Sequence, residues 1–150
     1  MSETTAPTTA PSHAHGVIAR AHARNAGGRW ETALRAGHHA LVADESPHLD
    51  GRDKGPAPFE YLLAALGACT AITLRMYAER KAWRLEAVDV DLTYREEAGA
   101  AVIDRVLTLA GPLDDAQRAR FRDIAERTPV TKVLKTGAEI RTTLTQERSG

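Results

Sequence analysis

Between Pro58 and Ala82 apolar side chains recur at steps of three and four residues, through Phe59, Leu62, Leu66, Cys69, Thr73 and Met76, the repeat of an α-helix. Pro58 suits the first helical position, where its missing N–H has no intrahelical partner, and Arg75, Arg80 and Lys81 sit favourably toward the negative end of the helix dipole. Ile72 and Leu74 fall on another side, so the helix is apolar nearly all round and is predicted to be central and buried. Beyond it the pattern changes to strict alternation. Val88, Val90, Leu92 and Tyr94 share one face against Asp89, Asp91, Thr93 and Arg95, and Ile103, Leu107 and Leu109 supply a matching face across a turn at Glu96-Glu97-Ala98-Gly99. That predicts an antiparallel hairpin.

Asp114, with Gln117 three residues on, forms a capping-box pair that opens a second helix, carrying Phe121, Ile124 and Ala125 inward and stopping at Thr128-Pro129. A short helical turn through Val133-Leu134 ends at Gly137, after which Ala138, Ile140, Thr142 and Leu144 alternate as a last strand. Ahead of the long helix, extended segments near His15–Arg24, Arg29–Arg35 and His38–Ala43 are separated by Asn25-Ala26-Gly27-Gly28 and Ala36-Gly37, which reads as a β-meander. The order β-β-β-α-β-β-α-β argues an α+β fold, with antiparallel-rich sheets against helices.

Ser46 to Pro58 is turn chemistry throughout, and loops of this length in a compact domain are often functional. Residues 1–14 hold Thr, Ala, Pro and Ser with nothing large to bury, so a disordered tail is expected there, leaving 15–150 as a single domain. Twenty Lys and Arg balance twenty Asp and Glu, so no long-range pull toward nucleic acid or acidic lipid is expected. The opening residues lack the basic start and apolar core of a secretory signal, and the uncharged run Tyr61–Leu74 is shorter than the ~20 residues a bilayer crossing needs. A cytoplasmic, reducing location without membrane association fits. His13 and His15 have no third ligand nearby, and His38 and His39, as neighbours on a strand, would point to opposite faces. Neither a metal nor another cofactor is expected.

Cys69 is the sole cysteine, which excludes a disulfide within the subunit. Its thiol is either a buried small hydrophobe or a reactive centre regenerated from outside. Reactivity requires a thiolate, yet Ala65, Leu66, Ile72 and Thr73 are uncharged and the residue lies too deep in the helix for free N-terminal donors. Any activating cation must come from another part of the fold.

The run Lys54-Gly55-Pro56-Ala57-Pro58-Phe59-Glu60-Tyr61-Leu62-Leu63-Ala64-Ala65-Leu66-Gly67-Ala68-Cys69-Thr70, continued through Thr73 to Lys81, resembles the signature of the OsmC/Ohr family, the osmotically inducible and organic hydroperoxide resistance proteins. Ala87 to Tyr94 and Ile124 to Val133 fit the later part of that pattern, so the resemblance spans roughly Gly16 to Thr145. It implies an OsmC-like α+β homodimer, intertwined, with sheets wrapped around two central helices and two composite active sites at the subunit interface. It also implies thiol-dependent reduction of organic hydroperoxides; the apolar helix wall around Cys69 would favour a small hydrophobic one, and a single cysteine would need an external thiol or dithiol as reductant. Carried over by position, Cys69 matches the peroxidatic cysteine and Glu60 its acidic partner. The family's arginine falls near the first hairpin turn, where Arg29 is the choice and Arg24 and Arg20 are alternatives. Where the family places its second cysteine this chain has Thr128-Pro129, so the resolving thiol is missing.

Nine helical residues separate Glu60 from Cys69, placing them on opposite sides and about 13 Å apart along an axis. The site is therefore expected to be composite. Either the helix begins after Glu60 and the loop folds back, or carboxylate and thiol come from different subunits. Three functions follow: a one-cysteine organic hydroperoxide peroxidase, a non-catalytic small-molecule-binding OsmC-like dimer of the stress response, or a stress-associated structural protein with Cys69 as a core residue.

Overall fold

The computed structural model describes residues 16–146; the expected tail over 1–14, with His13 and His15, lies outside them. Two compact units divide the chain between Pro58 and Phe59. The first holds an antiparallel sheet of β1 (Ala21–Arg24), β2 (Thr32–Ala36) and β3 (His39–Ala43), in the order β1-β2-β3. Ala23 pairs with Leu34, and Leu34 with Leu41. The first strand is shorter than its sequence pattern, because residues 16–20 have no place in the ladder apart from the Arg20 carbonyl, which accepts from Gly37 N–H. His38 lies in the turn before β3, so strand alternation does not separate it from His39 as expected; the two rings are 4.0 Å apart.

After β3 the chain turns on Asp44, whose buried carboxylate accepts from the amide N–H groups of Glu45 at 2.8 Å, Arg52 at 3.2 Å and Lys54 at 3.1 Å. Burial raises its pKa, but these donors and the charge of Arg52 outweigh that and hold it below the ordinary 3.8. A carboxyl lowered by folding stabilises fully above its unfolded value, and the stabilisation fades as pH falls through the lowered folded value. The Arg52 and Lys54 amide resonances are therefore expected to titrate together below about pH 4. Asp44→Asn should flatten that titration; an unaltered titration in the variant would contradict the assignment.

The second unit is built on α1 (Pro58–Lys81), a hairpin of β4 (Ala87–Glu97) and β5 (Ala100–Ala110), and two shorter helices, α2 (Asp115–Ala125) and α3 (Pro129–Thr136). Val90 pairs with Leu107, and the hairpin reverses at Ala98 and Gly99, both with positive φ, the backbone that a tight two-residue turn requires. Inward positions Val88, Val90, Leu92 and Tyr94 are each half-buried between exposed neighbours, as the alternation predicts. Gly67 lets the strand lie close to the helix, since a Cβ there would stand 3.1 Å from Leu92 Cδ1. The Asp114 carboxylate accepts from Gln117 N–H at 2.7 Å while the Gln117 side chain accepts from Asp114 N–H at 2.9 Å, so the predicted capping box closes and contributes about 1 kcal/mol.

Leu74, Ala78, Leu85 and Phe121 form the core of this unit, with Tyr77, Trp83 and Leu109 packed around them. The helix α1 is not buried all round. Its stripe Leu66, Thr70, Leu74, Ala78 is covered, whereas Phe59, Ile72 and Met76 are more than half exposed, because the hairpin and the two shorter helices leave one side of it open. Flanking residues extend the fourteen-residue apolar run to a helix of 24 residues, long and apolar enough by length and composition to cross a membrane. The covered stripe is that of a core helix. The alternating segment 138–144 forms no strand: Ile140 and Leu144 are exposed, and no ladder partner stands beside it among the described residues.

Candidate functional site around Cys69

Cys69 is half-buried in the fourth turn of α1 and precedes Thr70, which is fully buried and donates its hydroxyl to the Leu66 carbonyl at 2.7 Å. Glu60 lies in the first turn of the same helix and is exposed. The helix begins at Pro58, so the alternative in which it starts after Glu60 is excluded; proline at the first position and an acidic first turn favour the earlier start. On one helix the two groups are separated by two and a half turns.

Arg29 belongs to the first unit. It occupies the β1–β2 connection with a φ of 63°, and its guanidinium donates to the Asp50 carbonyl at 3.1 Å and lies 6.0 Å from the Trp30 ring. Trp30 Nε1 donates to the Leu49 carbonyl at 2.9 Å, so the hairpin turn is tied twice to the loop after β3. Arg20 precedes β1 and Arg24 ends it, both exposed.

Beside Cys69 the second unit carries a polar network that the sequence reading did not anticipate. Arg105, on the inward face of β5, has a side chain only 11% exposed. One guanidinium nitrogen donates to Thr70 Oγ1 at 3.1 Å and to Thr131 Oγ1 at 3.0 Å, and the other to Glu126 at 3.2 Å. Thr131 Oγ1 also lies 2.7 Å from the Oγ1 of the fully buried Thr128. Lys135 reaches Glu126 at 2.5 Å; its hydrogen bond is the main reason the Glu126 carboxyl is held below its usual value, with Arg105 adding to it and partial burial opposing. The available signal was an arginine interrupting the apolar positions Ile103 and Leu107 on one strand face, since a charge at an inward position must be paired.

A cavity of about 480 Å³ lies against this network, with Phe59, Leu62, Leu66 and Ile103 as apolar wall and Arg105 and Lys135 at its polar part. Phe59 and Tyr94 stack at 4.4 Å along it. Cys69 does not itself line this cavity, although Leu66 precedes it by one turn.

The architecture is that of the OsmC-like fold. It is shared with an OsmC-like protein from Mycoplasma pneumoniae (TM-score 0.69, 17% identity, covering 81% of this chain and 90% of that one). An organic hydroperoxide resistance protein OsmC from Legionella pneumophila (0.56, 22%, 79% and 90%) and the organic hydroperoxide resistance protein OhrB of Bacillus subtilis (0.57, 18%, 81% and 93%) share it as well. A family model described as OsmC-like protein matches residues 51–143, and the chain belongs to that family. No curated protein matches it.

Proposed function

We propose that this protein is a one-cysteine thiol peroxidase that reduces small hydrophobic hydroperoxides, working as a cytoplasmic homodimer. The observation that carries the reading is the half-buried Cys69 within the span matched by the family model; the resemblance set out above matches it to the peroxidatic cysteine. Structural relatives named for organic hydroperoxide resistance support it, as does the apolar cavity one helical turn away. The Cys69 thiolate attacks the distal peroxide oxygen, the O–O bond breaks, and the departing alkoxide takes a proton to leave as the alcohol. Sulfur is thereby oxidised to the sulfenate. An external thiol attacks it, releasing water and leaving a mixed disulfide, and a second thiol restores Cys69 while the two external sulfurs pair as a disulfide. Arg29 lowers the thiol pKa and orients the peroxide, and Glu60 holds the arginine.

Since Glu60 and Cys69 occupy opposite sides of α1, the carboxylate and thiol of one site come from different subunits. The uncovered Ile72 and Met76 on α1, and the exposed Ile140 and Leu144 downstream, are apolar surface that an intertwined second copy would cover. One observation favours the non-catalytic binding dimer instead: the second-cysteine position is occupied by a buried, hydrogen-bonded Thr128.

Stopped-flow mixing with cumene hydroperoxide separates the readings. The wild-type thiol is expected to react roughly a hundredfold or more faster than a free thiol of similar pKa, the scale that positioned groups supply. Cys69→Ser should consume none. A rate no faster than the free thiol defeats the peroxidase, and fast oxidation without turnover by any dithiol favours the binding dimer.

A further inference from the structure

A second cleft, of about 470 Å³, opens between β5 and α2, with Leu107 and Leu109 along it and three guanidinium groups, Arg105, Arg118 and Arg122, around it. Arg118 and Arg122 are one turn apart on α2 and so share a face. Arg105 is held by the threonines and Glu126. Arg118 donates to the carbonyls of Leu109 at 2.9 Å and Gly111 at 3.4 Å, which fixes its fork at the strand end. Among the described residues the Arg122 guanidinium has no hydrogen-bond or ion-pair partner. Glu126 is the one carboxylate lining the cleft among them, and it is already shared between Arg105 and Lys135. Positive charge is thus left uncompensated over an apolar floor, two of its three guanidinium groups held in place by fold contacts.

We propose that this cleft binds a small anion with an apolar body, an aryl or short alkyl carboxylate or phosphate monoester. Arg122 and Arg118 face the anionic oxygens, where planar guanidinium forks fit carboxylate and phosphate alike, and the hydrocarbon lies on Leu107 and Leu109. The site lies within the second unit and excludes Cys69; it shares Arg105 with the cavity near that thiol, but its anion-binding groups, Arg118 and Arg122, do not line that cavity.

Calorimetric titration of the full chain at constant ionic strength, with phenyl phosphate, benzoate and inorganic phosphate as probes, tests it. At least one aromatic anion is expected to bind more tightly than inorganic phosphate, and the preferred one identifies the headgroup. Arg122→Ala, which removes a side chain with no hydrogen-bond or ion-pair partner among the described residues, should weaken that binding about tenfold or more. Arg84→Ala, removing an exposed arginine paired with Glu86 outside the cleft, and Cys69→Ser should leave it unchanged. No binding, equal affinity for the inorganic and aromatic anions, or undiminished binding by Arg122→Ala overturns the proposal.

Discussion

Oxidised Thr128→Cys protein is expected to carry a disulfide between Cys69 and the introduced thiol within each subunit. Thr128 is fully buried at the N-cap of α3, yet its hydroxyl makes no cap bond and instead meets Thr131 at 2.7 Å. From there Thr131 accepts from Arg105, and Arg105 reaches Thr70, the residue after Cys69. Three hydrogen bonds therefore join position 128 to the neighbour of the thiol, and the resemblance to the family implies that a resolving cysteine would fall at this position. In the reduced variant the lost hydroxyl contact should cost about 1 kcal/mol. Once oxidised, closing a loop of roughly sixty residues should return about 4 kcal/mol by the chain-entropy estimate. One equivalent of cumene hydroperoxide, followed by non-reducing peptide mass analysis, gives the readout, together with a gain in turnover supported by dithiol. Absence of the bond, or cross-links only between subunits, would show that position 128 cannot reach Cys69 within the chain.

The largest expected effect on stability belongs to Phe121→Ala, about 3–5 kcal/mol. Phe121 is fully buried, meets Trp83 edge-on at 5.5 Å and Tyr77 at 6.2 Å, and closes a cluster in which those two rings also meet at 5.5 Å. Removing the middle ring leaves a void flanked by rigid groups. Tyr77 cannot easily swing in, because its phenol oxygen accepts from Arg120 Nε at 3.1 Å, which also lowers its pKa. Urea unfolding at fixed protein concentration should show a lower midpoint with an unchanged slope, while Val133→Ala, at a half-exposed site, should stay within about 0.5 kcal/mol of wild type. A loss below 1 kcal/mol for Phe121→Ala would contradict this account of the core.

What could be read from the chain beforehand was whatever rests on local period or local chemistry. The β4–β5 hairpin follows from alternation, α1 from its three-and-four spacing, and the start of α2 from the Asp114 and Gln117 pair. Features that depend on distant partners were not legible. Alternation over 138–144 reads as a strand, but a strand exists only beside another, and none stands there. The helix α1 is apolar on every side, which gives no clue to the side left open. The joining of Arg105 to Thr70, Thr128 and Thr131 needs residues up to 35 positions apart. Arg29 was placed by resemblance to a hairpin turn, and its contact with Asp50 links segments that share no pattern.

Arg118 also has a bearing on colloidal behaviour. An open strand margin is a template on which foreign chains can extend a ladder, the first step of fibril growth. This guanidinium donates to the carbonyls of Leu109, near the far end of β5, and of Gly111 just beyond it. A cationic side chain held at a strand margin disfavours the addition of an intruding backbone there.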